Sequence, residues 1–203
     1  MNNFDLVAIG ASHGYWLEND IKKCTNKVLL IEPVDYNFNQ LKDRFKNYNN
    51  IIFENIAISE NGELINFYYV LENSVAKLKK HWASGIGSFS KEHILKHHSK
   101  RFKITEEDIK CVNVKTLSFD QLIEKYKIES IDKLIVDAEG FDYKIIKSIN
   151  FKKILIKELM FEKKHLSSTF EIGNKLDEIK NLLSKENYKL FDIDDENVIA
   201  KKI

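Results

Sequence analysis

Residues 4–15 read FDLVAIGASHGY, an apolar run that ends in a glycine-containing turn. The run predicts a buried strand over residues 4–9, and the turn predicts a helix from about Tyr15. Gly10 and Gly14 allow the backbone to come close to a ligand, and the unpaired N–H groups of a following helix attract an anion. Tight turns of this kind also join strands to helices without any ligand. The stretch alone therefore leaves both interpretations open.

Strands and helices alternate along the rest of the chain. Further strands are predicted at residues 28–31, 51–57, 64–70, 109–116, 133–136 and 154–161, with a closing hairpin at 188–192 and 197–201. Further helices are predicted at residues 37–47, 118–126, 141–149 and 170–186. Such alternation predicts an α/β sandwich around a mainly parallel sheet. The closing hairpin predicts one antiparallel strand at an edge of that sheet.

The composition is that of one folded domain. Of the 203 residues, 43% are hydrophobic and 31% are charged, and a chain of this length can bury a proper core. The apolar runs are too short to span a bilayer, and the first residues show no basic leader, so we expect neither a membrane span nor a secretory signal. Two cysteines make no disulfide framework, which favours a cytoplasmic protein. A net charge of +1 gives no global reason to expect nucleic acid as a partner.

Acidic residues follow two of the predicted strands. Glu32 stands 22 positions after Gly10, a spacing that suits a carboxylate accepting hydrogen bonds from ribose hydroxyls. Asp137 and Glu139 end the strand expected to pair beside the first one, so they should face the Gly10 turn, where they could orient or deprotonate a hydroxyl. The structural alternatives are an exposed turn residue at Glu32 and a helix cap at Asp137 or Glu139.

Six short motifs, in order over about residues 4–161, resemble the FkbM-type S-adenosylmethionine-dependent methyltransferases. Residues 7–15 look like the DxGAxxGYY motif of that family, residues 31–41 are similar to EP…nf..L, and residues 55–62 fit naAl…G. Residues 87–90 resemble its small-Ser loop, residues 116–122 resemble TLDdL, and residues 136–140 are close to iDvEG. The chain departs from the family at Ala8, where the first motif has an acid, and at Ile135, where the family usually has Lys.

The resemblance implies a Rossmann-like class I methyltransferase fold, with a mainly parallel seven-stranded sheet of order 3-2-1-4-5-7-6 and strand 7 antiparallel. It implies methyl transfer from S-adenosylmethionine to a hydroxyl oxygen, often on a sugar or a polyketide-like molecule, with S-adenosylhomocysteine as the other product. The cofactor-binding residues that it implies are Gly10, Ala11, His13, Gly14, Glu32, Asn55, Ile56, Ser88 and Asp137. Because Ala8 removes an acid near the cofactor, a non-catalytic relative with the same fold is an alternative.

Methyl transfer to oxygen requires a group that orients the acceptor hydroxyl and removes its proton. Asp137 is the first candidate, Glu139 the second, and His165, just after the strand predicted at residues 154–161, the third. A plain surface position is the alternative for His165. Three aromatic residues could face the sulfonium or simply pack in the core: Tyr15, Trp82 and Phe141.

Basic residues concentrate in one segment. Residues 75–103 hold eight Lys or Arg and a single acid, Glu92. We interpret residues 72–108 as a lid-like insertion in one domain of residues 1–203. A basic lid suits an acidic acceptor such as a nucleotide sugar or glycan, although a solvated helix face would look the same. An RNA methyltransferase that uses this lid and an NAD-linked oxidoreductase are further alternatives. Ser12 stands where the dinucleotide fingerprint requires its second glycine, which disfavours the oxidoreductase.

Four of the six histidines also fall in this segment: His81, His93, His97 and His98. The i, i+4 spacing of His93 and His97 can bind a metal ion on a helix. No third ligand is obvious nearby, so we expect no metal. The oligomeric state is left open by the sequence, with a homodimer as one option.

Overall fold

The computed structural model describes residues 2–79, 81–97, 103–166 and 173–203, with the backbone only at residues 81 and 82. The strands are β1 (Asn3–Ile9), β2 (Lys27–Ile31), β3 (Ile51–Glu54), β4 (Ala57–Ile58), β5 (Leu64–Val70), β6 (Gly87–Ser88), β7 (Ile109–Leu117), β8 (Ser130–Val136), β9 (Leu155–Glu162), β10 (Tyr188–Asp192) and β11 (Asn197–Lys202). The α-helices are α1 (Glu18–Ile21), α2 (Asp35–Arg44), α3 (Glu72–Leu78), α4 (Lys91–Lys96), α5 (Phe119–Tyr126), α6 (Asp142–Ser148) and α7 (Gly173–Lys185). The side chain of Trp82, all of His98 and the predicted helix start at residues 170–172 lie outside the described residues.

Seven strands form the main sheet, in the order β10-β11-β9-β8-β1-β2-β3. Numbered in chain order within this sheet and read from β3, the order is 3-2-1-4-5-7-6. The last strand, β11, is antiparallel to both of its neighbours, and the pairs among the other five neighbouring strands are parallel. The predicted α/β class is confirmed. None of the described helices has the length and apolar character needed to cross a bilayer.

A second sheet, of order β4-β7-β5-β6, was not predicted as a unit. Its longest pairing joins β5 and β7 in antiparallel register. The strand predicted at residues 51–57 divides between the sheets, as β3 in the main sheet and β4 in the second. The division has a local cause. The backbone N–H of Glu32 still bonds to Glu54. The next N–H on that side of the chain, that of Val34, donates to the Glu32 side chain, and the side chain of Asn55 bonds the carbonyls of Glu32 and Pro33.

The central strand β1 is buried on both faces, which explains its continuous apolar sequence. Val7 and Ile9 pack into one apolar layer, together with residues of α5, α6 and α7. Leu6 and Ala8 pack into the opposite layer, together with residues of α1 and α2. Successive side chains of a strand point to opposite faces, so one short strand serves both layers. The turn that follows β1 is thereby fixed at the centre of the molecule.

The segment between β5 and β7 contains α3, β6 and α4, and it is tied to the main sheet by buried polar side chains. Tyr36 Oη donates to the carbonyl of Val70 (3.0 Å), and Asn37 Nδ2 donates to the carbonyl of Ser84 (2.6 Å). Ser88 Oγ donates to the carbonyl oxygen of Glu139 (2.8 Å). These contacts place the segment beside the carboxyl ends of β2 and β8.

Candidate functional site

The turn after β1 has a backbone that its sequence requires. Gly10 has a φ of +82°, and a Cβ atom there would lie 1.7 Å from the carbonyl oxygen of Asp137. Ser12 also has a positive φ, +49°, and its backbone N–H donates to Glu32 Oε2 (2.8 Å). A Cβ atom at Gly14 would lie 2.5 Å from side chains of the α2 region. The positive φ of Ser12 is a backbone conformation that concentrates at functional sites. The turn lies where the parallel pairing of β1 with β2 and with β8 brings three strand ends together.

Glu32 is a buried carboxylate at the end of β2, with 4% of its surface exposed. Its two oxygens accept hydrogen bonds from the backbone N–H groups of Ser12 (2.8 Å) and Val34 (2.9 Å). Burial raises the pKa of Glu32 to about 7, although both hydrogen bonds act in the opposite direction. The exposed-turn alternative is therefore wrong. A buried carboxylate at this point can accept hydrogen bonds from the hydroxyl groups of a ligand.

A first cavity of about 360 Å³ opens at these strand ends, within the usual size range of small-molecule sites. The predicted cofactor-binding residues that line it are Gly10, His13, Glu32, Ile56 and Asp137. Its walls also include the apolar side chains of Ile31, Ile58, Phe67 and Phe89. A buried carboxylate beside apolar walls fits a ligand that joins a sugar diol to a flat aromatic ring. The residues present thus suit an adenosine-type ligand.

Four predicted cofactor-binding residues do not line this cavity but support its walls. Ala11 is fully buried in the layer with α1 and α2, and Gly14 packs on the α2 region. Asn55 holds the carbonyl of Glu32 (3.0 Å), and Ser88 holds the carbonyl of Glu139. Ala8, where the family has an acid, is buried in the same layer as Ala11. It lines neither this cavity nor the cavity that adjoins it.

A second cavity, of about 570 Å³, adjoins the first. Its polar lining residues are His97, Glu162, Lys164, His165, Glu196 and Asn197. Trp16, Asp137 and Glu139 line both cavities. The two spaces therefore meet at the carboxyl end of β8. Trp16 had no assigned role in the sequence, because only the fold shows that it stands between two cavities.

Asp137 and Glu139 lie at this junction in an environment that disfavours their charge. Burial, together with the negative charges of Glu139 and Glu162, raises the pKa of Asp137 well above its ordinary value. Burial also raises the pKa of Glu139 to about 7, against the positive influence of His165. Glu139 has a φ of +45°, so a strained turn aims this side chain. Raised carboxyl pKa values in a cleft suit groups that exchange protons near neutral pH.

Three histidines surround the carboxylate of Glu139. Glu139 Oε2 lies 3.2 Å from His93 Nε2 and 3.6 Å from both His97 Nε2 and His165 Nδ1. The Nε2 atoms of His93 and His97 are 3.2 Å apart. The premise that His93 and His97 have no third metal ligand nearby is therefore wrong. Glu139 and His165 follow the neighbouring strands β8 and β9, so the topology predicted from the sequence could have placed those two side chains together.

The charges of this cluster respond to the surrounding groups. Burial and the neighbouring His165 and His93 lower the pKa of His97 to about 3. Burial acts in the same direction on His165, but the hydrogen bond and charge of Glu162 (3.0 Å from Nδ1) and the charge of Glu139 outweigh it, so the pKa of His165 is raised. His165 is a buried member of the site, and the surface alternative is wrong.

Tyr15 and Phe141 are the two aromatic candidates whose side chains the structure describes, and they occupy different positions. Tyr15 lines the first cavity but is 68% exposed. Phe141 lines neither of the two cavities and packs on Phe89, with ring centroids 4.6 Å apart. Packing therefore accounts for Phe141.

Comparisons with known proteins give one family and several distant structural likenesses. A family model described as the methyltransferase FkbM domain matches residues 8–190. A search of curated proteins found no match.

Among solved structures, the chain is similar to the fibrillarin pre-rRNA processing protein of Methanococcus jannaschii, with 15% identity, a TM-score of 0.49 and coverage of 99% of this chain and 67% of that one. Aeropyrum pernix fibrillarin with bound S-adenosyl-L-methionine is 12% identical, with a TM-score of 0.48 and coverage of 97% of this chain and 66% of that one. The precorrin-6y C5,15-methyltransferase of Geobacter metallireducens GS-15 is 9% identical, with a TM-score of 0.49 and coverage of 100% of this chain and 82% of that one. The chain thus spans about two thirds of the two fibrillarin chains, and these likenesses are too remote to bear on its activity.

Proposed function

The chain belongs to the FkbM methyltransferase family, and from this premise we propose that it methylates a hydroxyl oxygen of a small polyhydroxylated acceptor, such as a sugar or glycan. The family makes it an S-adenosylmethionine-dependent methyltransferase. The choice of acceptor is supported by one observation above all. The adenosine-type cavity and a second, polar cavity meet at two carboxylates, Asp137 and Glu139.

The first cavity has the residues that the cofactor needs. Glu32 would accept hydrogen bonds from the ribose hydroxyls, and Ile56 would border the adenine. Gly10, His13 and Asp137 would lie along the methionine part. When bound, the cofactor supplies a methyl group that its positively charged sulfur already activates. What this chain must add is the placement of an oxygen nucleophile and the removal of its proton.

Asp137 is positioned to remove the proton of the acceptor hydroxyl because it lines both cavities. Its raised pKa makes its ionised form a stronger proton acceptor than an ordinary aspartate. General base catalysis contributes typically ~10²–10⁴-fold to a rate, and placement of the reacting atoms can contribute about 7–11 kcal/mol. Glu139 and His165 border the same junction, as second and third candidates for the group that accepts the proton.

The second cavity suits an acceptor with several hydroxyl groups. Its carboxylates and the amide of Asn197 can exchange hydrogen bonds with hydroxyls, and Lys164 is already paired with Glu196. In the basic segment, Lys77 pairs with Asp108 and Lys91 pairs with Glu106. Both acids lie just after the basic segment of residues 75–103. We therefore propose a neutral or an acidic polyol, because the lid lysines do not require negative charge on the acceptor.

The test compares Asp137→Asn with the wild type in methyl transfer to a panel of sugars, nucleotide sugars and glycans. We expect turnover to fall about 100-fold or more, while the dissociation constant of S-adenosylhomocysteine changes by only a few-fold. Asp132→Asn is the matched control, because Asp132 lies near the start of the same strand and pairs with Lys157. It should keep full turnover.

Two outcomes contradict the proposal. Wild-type turnover in Asp137→Asn would remove Asp137 from the reaction. Methylation of RNA, with none of any hydroxylated small molecule, would overturn the acceptor class.

A further inference from the structure

Four side chains, contributed by the segment between β5 and β7 and by the ends of β8 and β9, converge on one point beside the second cavity. We propose that they form a binding site for a divalent transition-metal ion, zinc foremost, with the ligands His93, His97, Glu139 and His165. The proposal is independent of the proposed function, because metal binding can be measured with the metal alone.

The four ligand atoms lie at distances from one another that suit a single metal ion. Each residue offers one ligand atom, and the four atoms lie within 4.8 Å of one another. His93 Nε2 lies 3.2 Å from both Glu139 Oε2 and His97 Nε2. Glu139 Oε2 lies 3.6 Å from both His97 Nε2 and His165 Nδ1. A tetrahedral zinc ion with bonds of 2.0–2.1 Å has ligand atoms about 3.3 Å apart. A metal ion can therefore be bound here with small movements of side chains alone.

The chemistry of the donor atoms also suits a transition-metal ion. Three imidazole nitrogens and one carboxylate oxygen suit zinc and its first-row neighbours, whereas magnesium and calcium prefer oxygen ligands. His93 is fully buried, and the other three residues line the second cavity. Glu162 and Asp137 add two further carboxylates close by. Their negative charge favours a cation at this position.

The fold itself positions the four side chains. His93 lies in α4, and His97 is the residue that ends this helix, one turn later. Ser90 caps α4, because its hydroxyl accepts a hydrogen bond from the backbone N–H of His93 (3.2 Å). Ser88 holds the backbone of Glu139 in its strained turn. A metal ion here would join the segment between β5 and β7 to the main sheet, and Glu139 and His165 would act as ligands, which leaves Asp137 as the proton acceptor.

The experiment begins with protein stripped by a chelator and then titrated with Zn²⁺ by calorimetry and with Co²⁺ by visible absorption. We expect one ion per chain and a Co²⁺ spectrum of a site with nitrogen and oxygen ligands. His97→Ala should weaken Zn²⁺ binding by more than the ~10–100-fold that the loss of an outer-shell partner costs. His13→Ala is the matched control, because His13 is not among the four ligands. It should still bind one ion.

The proposal is overturned if the wild type binds no Zn²⁺ at one ion per chain, or if His97→Ala binds as tightly as the wild type. Circular dichroism establishes whether His97→Ala is folded. If it is not, X-ray absorption at the zinc edge of the loaded wild type decides the matter. Three imidazoles around the ion support the site, and fewer than three refute it.

Discussion

At the scale of single residues, Glu32 combines a structural and a binding role. Its carboxylate fixes the backbone N–H groups of Ser12 and Val34 and also lines the first cavity. Because its pKa is raised to about 7, a substantial fraction of the ligand-free protein carries a protonated Glu32 at neutral pH. Hydroxyl donors of a bound ribose favour the ionised form. Cofactor binding should therefore compete with protonation.

We predict that the dissociation constant of S-adenosylhomocysteine rises roughly tenfold between pH 8 and pH 6, because the binding-competent ionised fraction falls in that interval. In Glu32→Gln the affinity should be nearly independent of pH and lower than that of the wild type at pH 8 by about 1.5–3 kcal/mol, because hydrogen bonds to a charged group are lost. At pH 6 this difference should be about 1.4 kcal/mol smaller, because the wild type has itself lost a factor of ten in affinity. Calorimetry over this range measures both effects. An equal pH dependence in the two proteins would assign the titration to another group.

At the scale of elements, the segment between β5 and β7 is closed by Asp108. One carboxylate oxygen accepts hydrogen bonds from the backbone N–H (2.9 Å) and hydroxyl (2.8 Å) of Thr105, and the other pairs with Lys77 of α3 (3.3 Å). The backbone carbonyl of Asp108 accepts from the N–H of Leu71, where the segment starts. Burial raises the pKa of Asp108, but these hydrogen bonds outweigh it and lower the value to about 2.

A carboxyl pKa that is lower in the folded protein than in the unfolded chain stabilises the fold above the unfolded value and loses that effect as the pH falls. We predict that Asp108→Asn lowers the free energy of unfolding by about 2 kcal/mol at pH 7. The difference from the wild type should be about half as large at pH 3. Urea unfolding at both pH values tests this, with Glu106→Gln as the control for an exposed ion pair. A difference that does not change with pH would contradict the electrostatic explanation.

Sequence periodicity predicted the elements of the main sheet well, because most of its strands are runs of apolar residues long enough to show their pattern. It did not predict the second sheet as a unit. There β4 and β6 are only two residues long, and their pairing depends on contacts such as Ala57 with Thr116, far apart in the chain. Elements so short have no pattern of their own. Only the assembled fold defines them.

At the scale of the whole molecule, one part of the candidate site could be predicted from the sequence and another part could not. Gly10, Glu32 and Asp137 follow predicted strands, and parallel topology alone brings such strand ends together. The histidine cluster could not be predicted in full, because His93 and His97 reach Glu139 only through the position of a segment that periodicity does not determine. Its detection needed the distances between side chains.

The whole fold also determines how a ligand stabilises the protein. A ligand that binds only the folded state, at a hundredfold excess over its dissociation constant, adds about 2.7 kcal/mol, or roughly 5–10 °C in the unfolding midpoint of a domain of this size. We predict this rise with S-adenosylmethionine and with S-adenosylhomocysteine. NAD should give none, because Ser12, which donates to Glu32, replaces the glycine that lets a pyrophosphate approach. A rise with NAD alone, in the same thermal scans, would instead indicate an oxidoreductase on this fold.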